Sequence, residues 1–388
     1  MEYESAKQAA QRLGVTVRAV QKWANEGRLK GAYRLGREWL IPLNAFPSDK
    51  PIEEKPTAHQ LMPLLTLSFV PGYCKELIES IEDSDDRAIA VAEYNYYKGR
   101  PQSAIEVAEL YLNHSDIALS LSANFTYSFA NLNSGKSHLA RLGLENIGRL
   151  VNRTLKNESD KKLRAYAVLI GCSVSTLLHQ NVQDLPDIES VVSDLPKGLK
   201  VFAAYIMVHN AYLNKEFGRG VGIADGVLAI KDSDYPVPSL YLKLMKCVCL
   251  MNLKDSQGAK EAFNQINRLA LSEKFYQPFV EHHGLLQGIV EAEIKKSHAE
   301  AYKEIVRMVK DFSKGWRTIH NELTESSVTV YLTTTEFAIA MLFNRNWSVK
   351  EISSHMGISP RMVKHHLSII YEKLDVSNRE ELGRFLLK

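Results

Sequence analysis

Polar turns recur through the middle of the chain at a spacing that suits stacked helix pairs. Tyr97-Lys98-Gly99-Arg100 precedes Ala104, and Asn133-Ser134-Gly135-Lys136 precedes Leu139-Ala140. Glu216-Phe217-Gly218-Arg219 precedes Gly222-Ile223, Lys254-Asp255 precedes Ala259, and Lys295-Lys296 precedes Ala299. The turn positions 99, 135, 218, 255 and 296 lie 36, 83, 37 and 41 residues apart, and Asn181-Val182-Gln183-Asp184 supplies a turn inside the long interval. Between the turns, from about Asp85 to Phe312, run long amphipathic segments rich in Ala, Leu and Tyr. A period of this length means helix pairs that bury their apolar faces on their neighbours, a solenoid. Small residues after each turn let the second helix lie close to the first.

This arrangement resembles tetratricopeptide repeats over about 230 residues, through the Gly-turn-Ala part of the motif and without the family's Trp. On its amino-terminal side the run Ser48-Asp49-Lys50-Pro51-Ile52-Glu53-Glu54-Lys55-Pro56 combines proline and charge with one apolar side chain, which reads as an extended linker. The expected organisation is mainly α: an amino-terminal module over residues 1–46, a linker over 47–72, the helical-repeat domain over 73–313, a second linker over 314–331 and a carboxy-terminal module over 332–388.

Residues 332–388 carry three capping boxes, in which a side-chain oxygen accepts from the N3 amide while Glu reaches back: Thr333 with Glu336, Ser348 with Glu351, and Asn378 with Glu381. Ser359-Pro360 opens a further helix, with Pro at a position where its missing N–H costs nothing. Four short helices follow. In the third, Val363, Leu367, Ile370 and Leu374 share one face, while Arg361, Lys364, His365, Ser368 and Glu372 fall on another. Gly357 suits the tight turn of a helix-turn-helix whose second helix fits the major groove.

The string Leu332-Thr333-x-x-Glu336, Ser348-Val349-Lys350-Glu351-Ile352, Val363-Lys364, Tyr371-x-Lys373-Leu374-x-Val376 and Arg379-x-Glu381-Leu382 resembles the LuxR/FixJ-type DNA-binding domain. The resemblance implies that Lys364 and His365 reach base edges or phosphates, with Arg361 and Ser368 on the same face. It implies Lys350 and Lys373 on the DNA backbone, and Leu382, Phe385 and Leu386 as the pairing surface of a homodimer. Thr334 and Thr335 stand where the family usually has Pro-Arg, and Met362 replaces a common Thr, which removes a hydroxyl able to bind phosphate.

At the amino terminus, Ser5-Ala6-Lys7-Gln8 is a capping box, Leu13-Gly14-Val15 a turn, and residues 17–26 a second helix with Val20, Trp23 and Ala24 inward and Arg18, Gln21, Lys22 and Asn25 outward. Leu29 to Arg34 and Glu38 to Ile41 read as a hairpin through Leu35-Gly36-Arg37. The segment resembles the MerR/excisionase-type winged helix. By that resemblance Arg18, Gln21 and Lys22 enter the major groove, and Arg34 and Arg37 on the wing touch backbone or minor groove. Docking a protein is the alternative use of such a module.

Charge agrees weakly: residues 1–46 hold eight cations against four anions, and residues 332–388 eight against six, so the basic excess lies at the ends of a chain whose net charge is +3. Cys74, Cys172, Cys247 and Cys249 are few and irregularly spaced, which favours buried thiols in a reducing compartment. The apolar stretches are shorter than the ~20 residues of a bilayer span, so a cytoplasmic protein off the membrane is expected. Gly135-Lys136-Ser137 lacks a preceding strand and the upstream Gly of a phosphate loop, and Gly218-Arg219-Gly220-Val221-Gly222 is equally isolated. His209, His282 and His283 read as surface or core histidines. No catalytic constellation, metal site or cofactor motif stands out, which leaves a transcription regulator acting on double-stranded DNA, with a small-molecule or protein effector on the repeats. A repeat scaffold tethered to DNA only by its carboxy-terminal module is the alternative.

Overall fold

A computed structural model of the chain describes residues 3–25, 28–29, 32–35, 38–43, 45, 47, 59–180, 182–230, 235–295, 297–320 and 332–386. The amino-terminal module has its own small core of Ala6, Ala9, Ala10, Val20, Ala24, Leu29, Ile41 and Ala45. Its helices α1 (Ala6–Leu13) and α2 (Val17–Asn25) meet at Gly14, whose φ of 67° supplies the left-handed turn. Ser5 and Gln8 form the expected reciprocal cap. The hairpin of β2 (Tyr33–Leu35) and β3 (Glu38–Pro42) is extended by β1 (Tyr3–Ser5), antiparallel to β3 with Glu4 opposite Ile41, giving the order β1-β3-β2. Arg12 ties this sheet to the helices through Glu4 at 2.7 Å and the Ala45 carbonyl at 3.0 Å.

The helical body begins earlier than its sequence suggests. Leu61, Met62, Leu64 and Leu65 are buried, and the short α3 (Pro63–Thr66) plugs into the body instead of belonging to a linker. Two long-range bonds hold it: Met62 N–H donates to Ser122 Oγ at 2.9 Å and Leu64 N–H to Glu93 Oε2 at 3.1 Å. After α4 (Cys74–Ser80) the chain folds into helix pairs: α5 (Ser84–Tyr97) with α6 (Pro101–Ala108), and α7 (Ile117–Asn133) with α8 (Ser137–Asn157). Beyond α9 (Lys161–Leu178) come α10 (Lys197–Leu213) with α11 (Phe217–Ala229), and α12 (Pro236–Asn252) with α13 (Ser256–Glu273).

Four of the turns share one geometry. Gly99, Gly135, Lys215 and Lys254 have φ of 70, 67, 62 and 62°. In each, the next amide reaches a carbonyl five residues back, Arg100 to Asn95 at 2.9 Å, Lys136 to Asn131 at 2.9 Å, Glu216 to Ala211 at 2.8 Å and Asp255 to Leu250 at 3.0 Å. This closure satisfies the last carbonyls of the first helix. The third turn is centred on Lys215 and not on Gly218, which lies inside α11. The close approach there is made by Gly220, where a Cβ would meet Cys249 Sγ at 2.8 Å, while Gly222 has open space around it. Asp184, with φ 54°, occupies the turn expected between the long-spaced pairs.

After α14 (Gln277–His282) and α15 (Ile289–Glu293), α16 (Ala299–His320) runs seven residues into the segment expected as the second linker. The carboxy-terminal module consists of α17 (Thr334–Asn344), α18 (Val349–Met356), α19 (Pro360–Leu374) and α20 (Arg379–Leu386). It shares one continuous apolar core with the body. His355 Nε2 lies 3.2 Å from the Gln287 carbonyl, Arg345 donates to Asn252 Oδ1 at 2.6 Å and to Tyr212 OH at 3.2 Å, and Lys254 Nζ donates to the Asn346 carbonyl at 3.0 Å. Gly288, at φ 80°, lets Met356 and Ala338 pack against the body's backbone. All four cysteines are unbridged and buried.

Candidate nucleic-acid interface

Local chemistry fixes the carboxy-terminal helices before packing does. Thr333 and Ser348 each accept from the N3 amide, of Glu336 and Glu351 respectively, while those carboxylates return to the cap amides at 2.8 and 2.6 Å. At the fourth helix Glu381 N–H donates to Asn378 Oδ1 at 2.9 Å, and the Glu381 carboxylate accepts from Ser377 N–H at 2.7 Å. Gly357 ends α18 at φ 62°, and Ser359 caps α19 by accepting from Met362 N–H at 3.2 Å.

On α19, Val363, Leu367, Ile370 and Leu374 are buried, and Arg361, Lys364, His365, Ser368 and Glu372 are exposed, as the spacing predicts. Lys350, on the preceding helix, is exposed as well. Three cationic or titratable side chains therefore stand near the amino-terminal half of an anchored helix, with Met362 exposed between them. Such a rod presents donors and charge to phosphate oxygens and base edges.

Two residues assigned by resemblance are engaged within the module. Lys373 places its ammonium 2.7 and 2.9 Å from the two oxygens of Glu336, a carboxylate only 5% exposed. Burial pushes that carboxyl up, but the hydrogen bonds from Lys373 and Thr333 outweigh it and hold it below its ordinary value. Lys373, itself exposed, thus also neutralises a buried carboxylate of the module. Leu382 is fully buried beneath α17 and cannot offer a pairing surface in this conformation, because its side chain already fills the module's own core. The side chains of Phe385 and Leu386 lie outside the described residues.

Two further basic residues have structural partners that the sequence did not reveal. Arg379 stacks over Phe343 at 3.9 Å and donates to Asn346 Oδ1 at 2.8 Å, and Arg345 bridges to the body. Partners 33 and 93 residues away leave no local signal.

In the amino-terminal module Arg18, Gln21 and Lys22 are exposed on α2, while Val20 and Ala24 are buried and Trp23 is partly so. Arg34 is exposed on β2, and Arg37 lies outside the described residues.

Residues 330–386 match the family model described as bacterial regulatory proteins, luxR family. This stretch is a LuxR-family helix-turn-helix domain. Residues 5–46 match a second model, described as a helix-turn-helix domain. No curated protein and no solved structure matches the chain. The LuxR-family domain and the amino-terminal helix-turn-helix together support a DNA-binding transcriptional regulator. Among the described residues no helix is long and apolar enough to cross a membrane. His59, Asp83 and Asp85 bring ligand atoms within 4.8 Å of one another, but Asp83 is engaged in capping α5 and His59 also faces Asp86 at 3.2 Å.

Proposed function

We propose that the chain is a cytoplasmic transcription regulator whose helical middle, a tetratricopeptide-like solenoid, receives an effector and controls how two DNA-reading modules are presented. The exposed cationic face of α19 above its buried apolar face is the observation that carries this reading. Arg361, Lys364, His365 and Ser368 contact base edges and phosphates in the major groove, and Lys350 contacts the backbone. Arg18, Gln21 and Lys22 enter a second groove segment, with Arg34 and Arg37 of the wing on the backbone or minor groove. Two copies bind as a homodimer, with Phe385 and Leu386 as candidates for the pairing surface. The shared core and the bonds from Arg345 and His355 support coupling, since an effector that changes the body changes the footing of the reader.

The test is to recover bound DNA by genome-wide footprinting and to measure affinity on a recovered site. Lys364→Ala should weaken binding by about 1–3 kcal/mol where it reads a base, and Arg18→Ala should weaken it independently. Unchanged affinity in Lys364→Ala and Arg361→Ala refutes the carboxy-terminal reader. Unchanged affinity in Arg18→Ala alone leaves a scaffold tethered by one module.

A further inference from the structure

The helical body encloses a cavity of about 20 Å³, room for one water-sized group. Tyr96, Tyr205, Tyr241 and Phe129 supply aromatic walls, Met62 and Leu65 of the α3 region close one side, and two carboxylates, Glu93 and Glu281, line it. Glu93 is 1% exposed. Its Oε2 accepts from Leu64 N–H, while its Oε1 has no hydrogen-bond partner among the described residues. Glu281 accepts from the Tyr96 hydroxyl, which in turn accepts from Gln277 Nε2 at 3.4 Å.

Among the described residues no cation balances this pair. The groups that act on the two carboxylates are an amide of the backbone, the hydroxyls of Tyr96 and Tyr241, the Gln277 amide and the Asp86 carboxylate. The nearby histidines supply no charge. His282 Nδ1 faces the Pro278 carbonyl at 2.8 Å and so carries the proton, which leaves Nε2, 3.1 Å from Tyr205 OH, as an acceptor. Burial pushes His282 down to about 4 and His209 to about 3. Burial also pushes Glu281 up to about 7 against its hydrogen bonds, and holds Glu93 well above the carboxylate range. An orphaned buried oxygen in a cavity that a second, titratable carboxyl also lines, inside aromatic walls, is a site with unused capacity to accept from a donor.

We propose that this cavity binds a primary ammonium group, with Glu281 as its counter-charge, Glu93 Oε1 as a hydrogen-bond acceptor and the tyrosine faces as its walls. Three donors and a positive charge on an atom the size of water match the volume, the vacant acceptor and the ring faces together. A trimethylated ammonium exceeds the space, and a neutral alcohol brings one donor and no charge to set against Glu281. The inference rests on the reading of the body as the part that receives an effector, and names the chemical class of that effector.

Calorimetric titration of the full-length protein with n-butylamine at pH 7.5 tests it, with n-butanol and tetramethylammonium as controls. Saturable binding of the amine alone is expected, weakened at least ~10-fold by Glu281→Gln and by Glu93→Gln; the second keeps a carbonyl oxygen able to accept from Leu64. As pH falls below about 7 the Glu281 carboxylate takes up a proton, so affinity should drop by up to about tenfold per pH unit. Absence of saturable amine binding, or equal binding in folded wild type and both variants, overturns the proposal. DNA affinity with and without n-butylamine separates the two readings. Binding to the cavity without any change at DNA sustains the site and refutes its role as effector receptor.

Discussion

Lys373→Met removes the ammonium from Glu336 while keeping most of the side-chain volume. Hydrogen bonds to a charged group contribute about 1.5–3 kcal/mol each, but Lys373 is 36% exposed at its side chain, so solvent screens part of that. Glu336 also keeps the Thr333 amide at 2.8 Å. The net destabilisation should therefore be about 1–2 kcal/mol. Because the module shares its core with the body, the unfolding unit is large, and each kcal/mol moves the midpoint by about 2–4 °C. Differential scanning calorimetry of the full chain should show a drop of roughly 2–8 °C at pH 7. Glu336 is held below its ordinary value, so the pair's stabilisation is present above the usual carboxylate range and is lost as pH falls through the folded value. The wild-type and variant melting curves should converge as pH falls through the folded value of Glu336, below the usual carboxylate range. An unchanged melt at pH 7, together with weaker DNA binding and a shallower salt dependence, would refute this account and place Lys373 on phosphate.

Three other outcomes follow from the same geometry. Gly198→Ala puts a Cβ inside the van der Waals shell of the Leu65 carbonyl oxygen, with Thr66 Cα 3.1 Å away, and neither backbone group can yield; the variant should lose about 1–3 kcal/mol and become sensitive to limited proteolysis between residues 59 and 72. Burial depresses His355 to about 4, so the stability it confers is complete above the unfolded value near 6.5 and falls by up to about 1.4 kcal/mol per pH unit between there and the folded value; amide protection factors in α18, corrected for the slower chemical exchange at lower pH, should fall between pH 7 and 5.5 in the wild type, and less in His355→Gln. Arg361→Ala or Lys364→Ala should lower the slope of log affinity against log salt by about 1 for each phosphate that the native side chain neutralises, read by fluorescence anisotropy across a salt series.

Much of the reader was legible because its signals are local. Capping residues sit three apart, Gly357 marks its own turn, and α19 separates its two faces by spacing alone. The helix pairs were legible for the same reason, although positive φ at Lys215 puts the third turn ahead of where Gly218 pointed. What stayed hidden depends on distant partners. A three-residue β1 has no alternation to detect, and it exists because β3 offers an open edge. The α3 plug follows a proline-rich stretch and resembles its continuation until Ser122 and Glu93, 60 and 29 residues away, claim its amides. The roles of Arg345, Lys373 and Arg379 are likewise set by partners that only folding brings near.

The plug at α3 also sets a leash. Pro47 is bridged to Leu29 in the amino-terminal module, and Leu61 is locked inside the helical body. Twelve peptide steps join Pro47 to His59, and an extended chain covers at most about 3.5 Å per step, so the two anchor points can part by roughly 40 Å and no more. One turn of duplex measures about 34 Å. Within a single protomer, whatever the first module grips is therefore held within that reach of the start of the helical body, raising the body's local concentration there with no added bond between them.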